Sequence, residues 1–142
     1  MLMYIKEDDS GGQVYSESGE LLYRFERITG ILPGYWIYQQ HQEVGNMRRE
    51  FGSVSKVGII VGDEKKDIIG WNPLDQKAGM KFERCLWRVT GDFTRGSIKV
   101  TDSRDRQLAT VFPEGSGHTV SLLREKDLYM VLMAWLAAGM VG

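Results

Sequence analysis

A chain of 142 residues fits one domain with a single substantial core. Its 18 Lys and Arg against 19 Asp and Glu leave a formal charge of -1, so no global field draws it to nucleic acid, although a local patch stays open. Gly is high at 17 residues and Pro low at 3, which suits many tight turns, and the single Cys85 excludes an internal disulfide and fits a reducing compartment.

The first residues, Met1 to Asp9, lack the basic opening and long apolar core of a signal peptide, so a cytoplasmic location is expected. Gln13 to Ser16, the link Glu17-Ser18-Gly19-Glu20 and the run Leu21 to Arg27 read as a hairpin, two apolar runs joined by a short Gly-bearing turn. A further version spans Trp36 to Phe51, with His41-Gln42-Glu43 at its turn. Lys56 to Val61 and Ile68 to Trp71 read as strands flanking a charged loop, Gly62 to Asp67. Leu86 to Thr90 is another strand, ended by Gly91-Asp92. Ile98 to Asp102, the turn Ser103 to Arg106 and Gln107 to Phe112 repeat the hairpin design. VYSESGELLYRF and VTDSRDRQLATVF are alike either by internal duplication or because strands and turns draw on a small alphabet. Pro33-Gly34 and Asn72-Pro73 mark turns, and Pro113 to Thr119 reads as a mobile loop. No linker divides the series, so residues 1–142 form a single domain.

From Leu128 to Gly142 there is no charge at all. The pattern predicts a helix over about 122–139, with Glu125 and Asp127 near its positive end. A helix apolar on every side has no face to offer water and must be buried in protein or lipid. At about 1.5 Å per residue the run is shorter than the roughly 20 residues a bilayer requires, and it suits a core helix. A buried helix needs a wrapper, and about ten to twelve short strands can supply one, because a sheet closed on itself has no edges. The expected fold is therefore mainly β, a closed antiparallel β-barrel of about twelve strands around a buried C-terminal helix, without a transmembrane span.

The stretches Val14 to Phe25, Trp87 to Phe93 (WRVTGDF), Ile98 to Phe112 and Lys126 to Ala138, in this order, resemble the LURF-one-related family. That family shares the tubby C-terminal-like barrel with the phospholipid scramblases. Ser16 stands where the family's first turn has Asp, and the 102–106 turn has no Gly. The resemblance implies a twelve-stranded barrel around a central helix and brings no catalytic residue with it.

Chemistry-bearing motifs are sparse. His41 and His118 are distant in sequence and neither has a partner at ligand spacing, so no metal site is expected. Asp102 to Arg106 lacks the central Gly and terminal Glu of a calcium loop and reads as a solvated hairpin tip. Gly115-Ser116-Gly117-His118 lacks the Lys-Ser/Thr pair of a phosphate loop, and no Ser sits in a nucleophile elbow. Arg48-Arg49 and Lys65-Lys66 are the candidate anion-binding residues; strand neighbours point to opposite faces, so one of each pair can join a given patch. The expected function is a non-enzymatic, cofactor-free binding or scaffold module whose ligand is a phospholipid headgroup, another small anion or a protein. The competing readings are a tail-anchored or scramblase-like membrane protein and an enzyme with an unrecognised pocket.

Overall fold

The computed structural model describes residues 1–141. Twelve antiparallel strands close into a barrel in which each strand pairs with its sequence neighbours, and the last returns to pair with the first. They are β1 (Leu2–Asp8), β2 (Gly11–Ser16), β3 (Leu21–Ile28), β4 (Gly34–Gln39), β5 (Gln42–Arg49) and β6 (Lys56–Val61), then β7 (Glu64–Trp71), β8 (Met80–Phe82), β9 (Arg88–Asp92), β10 (Ser97–Thr101), β11 (Gln107–Glu114) and β12 (Gly117–Leu122). A 3-10 turn, Glu125–Asp127, leads into helix α1 (Leu128–Ala138), which threads the barrel.

The barrel repeats one hairpin six times. Val14, Ile37, Ile59, Met80, Val100 and Val120 lie on the even-numbered strands, are all buried, and recur 20–23 residues apart. Met3, Phe25, Met47, Ile69, Val89 and Ala109 do the same on the odd-numbered strands. Alternation along each strand sends these side chains inward and their neighbours to solvent. The two hairpins that look alike in sequence, β2–β3 and β10–β11, are members of this larger set. Four hairpins also break register, beside Val14, Ile37, Ile59 and Val100. Such bulges sharpen the local twist, which helps a sheet curl into a barrel.

The interior is filled by α1, of whose residues Leu128 and Val131 to Ala138 are all buried. Trp135 packs edge-on to Phe25 (6.3 Å) and His118 (5.0 Å) and donates its indole N–H to the Gly96 carbonyl at 3.0 Å. Tyr129 donates its hydroxyl to Ile60 O at 2.8 Å, and Gly45 makes room for it, since a Cβ there would overlap both the Tyr129 hydroxyl and the Ile60 carbonyl. The helix therefore begins at the end of the barrel bearing the β2–β3, β4–β5 and β6–β7 turns, called here the entry end. It finishes at the exit end, among the β3–β4 and β9–β10 loops. Among the described residues no helix is long and apolar enough to cross a membrane.

Several local expectations are corrected. The helix does not start near residue 122: His118, Thr119, Val120, Ser121 and Leu122 lie in β12, whose pairing with β1 (Leu2↔Ser121, Tyr4↔Thr119) closes the barrel. Pro113 to Thr119 is an ordered hairpin with its turn at Gly115-Ser116, because Pro113 and Glu114 pair with His118 and Gly117. Glu64 to Asp67 belong to β7, not to a loop, and the link is the two-residue turn Gly62-Asp63. The β4–β5 turn falls on Gln40 and His41, both with positive φ, one residue earlier than the sequence suggests. Leu86 precedes its strand and is held at a φ of 63.

Candidate anion-binding cleft on the outer wall

On the outer face of the sheet, register brings together three cations that are remote in sequence. Lys56 pairs with Gly70, Gly70 with Lys81, and Lys81 with Arg88, so one cross-strand row runs from β6 to β9. Each member sits beside an inward-facing core residue (Val57, Ile69, Phe82, Val89) and so points outward. Neighbouring strands are about 4.8 Å apart, and because Gly70 has no side chain the aliphatic stem of Lys56 lies over it, between the two lysines' strands. The row lines a cleft of about 650 Å³ whose walls include Trp71, Ala78, Met80 and Leu86. This combination of an apolar floor and a few directed polar groups is the usual make-up of a small-ligand site.

The cations are only loosely engaged. Lys56 meets Glu83 at 2.8 Å, and the Glu83 carboxylate holds the Lys56 ammonium above its usual range. Arg88 meets Asp105 at 3.2 Å. Both pairs are solvent-exposed, the kind that water screens and that contributes little, so an incoming anion can displace them at little cost. Lys81 has no carboxylate partner among the described residues.

The four cations singled out from sequence are spread over three places. Arg48 and Lys65 lie on the outer wall flanking Gly58; Arg48 stacks on Trp36 at 5.1 Å, and Lys65 is bound to Glu50 at 2.7 Å. Arg49 continues the inward row beyond Met47 and lines a cavity at the exit end with Arg27, Gly139 and Met140. Its Nε is buried without a hydrogen-bond partner among the described residues. Two guanidinium groups there complement the negative end of the α1 dipole. Lys66 pairs with Glu64 at 3.5 Å and faces the opposite, entry end. As expected for strand neighbours, Arg48 and Arg49 separate to opposite faces of the sheet.

The entry end holds a second cavity, of about 460 Å³, between Tyr23, Val44, Val61 and Tyr129, with Lys66, Asp67, Arg84 and Cys85 at its rim. Asp67 is buried but accepts the backbone N–H groups of Ile68, Arg84 and Cys85 at 2.8 to 3.0 Å, so its oxygens hold the β8–β9 turn. Cys85 as a residue is exposed, yet its thiol lies against Asp67. Desolvation there, reinforced by that carboxylate, pushes the thiol up to about 12. A thiol so held is protonated at neutral pH and a poor nucleophile. His41 lies in the β4–β5 turn and His118 under Trp135, with its Nε2 3.3 Å from Arg95 O. The Asp102 carboxylate accepts the N–H groups of Arg104 and Arg106 and closes the β10–β11 tip.

No family model matches the chain, and no curated protein matches it. A protein of Arabidopsis thaliana solved by X-ray crystallography is similar in structure, with a TM-score of 0.68 over 95% of this chain and 88% of that one. At 13% identity this likeness shows the fold alone.

Proposed function

We propose that the chain is a non-catalytic binding module, a tubby-type barrel of the LURF-one-related kind, that recognises a phosphate-bearing anion in its outer-wall cleft. The observation that carries this reading is the row Lys56–Gly70–Lys81–Arg88, which sets three cations around one hollow. Helix α1 fills the middle of the barrel, which leaves its ends and its outer wall for a ligand, and the wall gathers three cations in one row. A phosphate group fits because it can accept from both ammonium groups and take a bidentate contact from Arg88. A phospholipid headgroup and a free phosphate ester share that chemistry.

Titration of the full chain with inorganic phosphate and with glycerophosphate, read from amide shifts at Gly70 and Lys81, tests the site. Flotation with phosphatidylcholine vesicles, with and without phosphatidylserine, separates a lipid headgroup from a free ester. One charge at 4 Å in water is worth about 1 kcal/mol, so Lys81→Glu removes about 2 kcal/mol, roughly thirtyfold in affinity. Lys6→Glu, exposed on β1 and several strands from the row, serves as the control. Equal binding by wild type and Lys81→Glu would sink the proposal.

A further inference from the structure

The four most exposed large apolar side chains of the molecule are Ile31 (92%), Phe51 (87%), Val54 (70%) and Leu74 (94%). They are not scattered. All four lie in the β3–β4, β5–β6 and β7–β8 loops, three consecutive loops of the exit end. Backbone hydrogen bonds join these loops to adjacent strands, Arg49 N to Pro33 O at 2.9 Å and Trp71 N to Ser55 O at 3.0 Å, so the tips are held side by side. Single exposed apolar residues need no explanation, but a cluster of fully exposed ones on neighbouring loop tips does.

Charge at this end is segregated in the same sense. Arg27, Arg49, Lys77 and Lys81 flank the three loops without a carboxylate partner among the described residues, against Asp75 as the corresponding unpaired acid. Around the other three connections of the exit end, Asp8, Asp9, Asp92 and Glu114, at strand ends or in the loops, outnumber the cation Arg95. The formal charge of -1 for the whole chain conceals this division. The cleft opens beside the basic half, since Asn72, Ala78 and Gly79 of the β7–β8 loop form part of its wall.

We propose that the β3–β4, β5–β6 and β7–β8 loops are insertion tips that seat this end of the barrel on an anionic lipid surface. The apolar tips enter the boundary between headgroups and acyl chains, and the cations behind them lie at headgroup level. A bilayer fits better than a protein partner. Separate tips projecting from three loops suit a fluid surface that closes around each one, whereas a stable protein interface needs a contiguous patch of about 800 Å² per side. The inference rests on the headgroup reading of the cleft for the sign of the lipid charge, while the tips are an independent observation.

The test uses the intact chain and sucrose-loaded vesicles of phosphatidylcholine, with or without about one-third phosphatidylserine, at about 0.15 M salt. Wild type is expected to sediment with the anionic vesicles. The double variant Phe51→Asp with Leu74→Asp, altered only at exposed positions, is expected to melt like wild type and still respond to inorganic phosphate, but to lose vesicle binding at least about tenfold. Phe51→Trp is expected to shift its emission to the blue on vesicles and to be quenched by brominated acyl chains, which headgroup contact alone would not produce. Unchanged vesicle binding by the double variant, or an unquenched Phe51→Trp, overturns the insertion while leaving the phosphate titration to judge the cleft. Self-association that the double variant abolishes, with no vesicle binding by wild type, also overturns it and assigns the tips to a second copy of the chain.

Discussion

Trp135→Ala removes the side chain that ties the core helix to the exit end. The indole is buried against Phe25 and His118 and donates to Gly96 O. Truncating a buried Trp to Ala costs about 3–5 kcal/mol, and leaving the Gly96 carbonyl without its donor adds about 1 kcal/mol. Domains of this kind are stable by only about 5–15 kcal/mol, so about half of the total is at stake. With a urea slope near 2 kcal/mol per molar, the midpoint followed by far-ultraviolet circular dichroism should fall by about 2–3 M. Trp135→Phe keeps most of the packing and loses the N–H, which predicts a drop of only about 0.5 M. Trp135→Asp places an unpaired charge in the core and should leave no soluble folded protein. A Trp135→Ala midpoint within about 0.5 M of wild type, or a soluble Trp135→Asp with normal melting, would refute the assignment of α1 as the barrel's core.

Gly45→Ala should destabilise by about 1–3 kcal/mol, because its methyl collides with the Tyr129 hydroxyl and the Ile60 carbonyl. Adding Tyr129→Phe should recover only part of the loss, and full additivity in a double-mutant cycle would contradict the contact. Gln40 and His41 both occupy the left-handed region in a two-residue turn that prefers Asn-Gly; the Gln40→Asn, His41→Gly double variant should gain about 1–2 kcal/mol and raise the melting temperature by several degrees. An unchanged or lower melting temperature would count against the turn geometry. Stability should decline as pH rises from about 9. Burial raises the Cys85 thiol from 9.0 to about 12 and lifts Tyr129 above its ordinary 10.0, so the unfolded chain releases these protons first. Below pH 9 both groups are protonated in either state and their contribution is flat; Cys85→Ser with Tyr129→Phe should flatten the alkaline limb of a urea-midpoint profile, and an identical limb would exclude these groups as its cause.

The core helix was legible because Leu128 to Gly142 offers no polar face, and burial inside strands was the remaining arrangement for so short a run. Its start was not, because His118 to Leu122 alternates as a strand yet abuts a run that reads as helix, and its pairing with β11 on one side and with β1, more than a hundred residues away, on the other decides between them. Hairpins with aromatic and β-branched strands were visible, whereas the three residues of β8 are too few to show a period. The basic row was hidden for a related reason. Arg48-Arg49 and Lys65-Lys66 catch the eye because they are adjacent in sequence, and in a strand adjacency separates side chains instead of grouping them. Lys56, Lys81 and Arg88 become neighbours only through three successive ladder registers. An apolar Leu74 after Asn72-Pro73 likewise reads as turn filler until its loop is seen beside Phe51 and Ile31.

The order of elements has a consequence for how the protein is made. Eleven of the twelve strand pairings join sequence neighbours and can zip up as hairpins while the chain emerges from the ribosome, but α1 follows β12. All the inward faces are therefore synthesised before the element that fills them. Until the helix arrives, the nascent chain is a curled sheet with a bare apolar lining and two unpaired edges, β1 and β12, a state open to aggregation and to chaperone capture. Barrel closure and helix insertion are the long-range events, the kind of contact formation that slows folding in general. A synonymous change that slows translation within residues 117–138 would lengthen that vulnerable interval without altering a single contact in the finished protein.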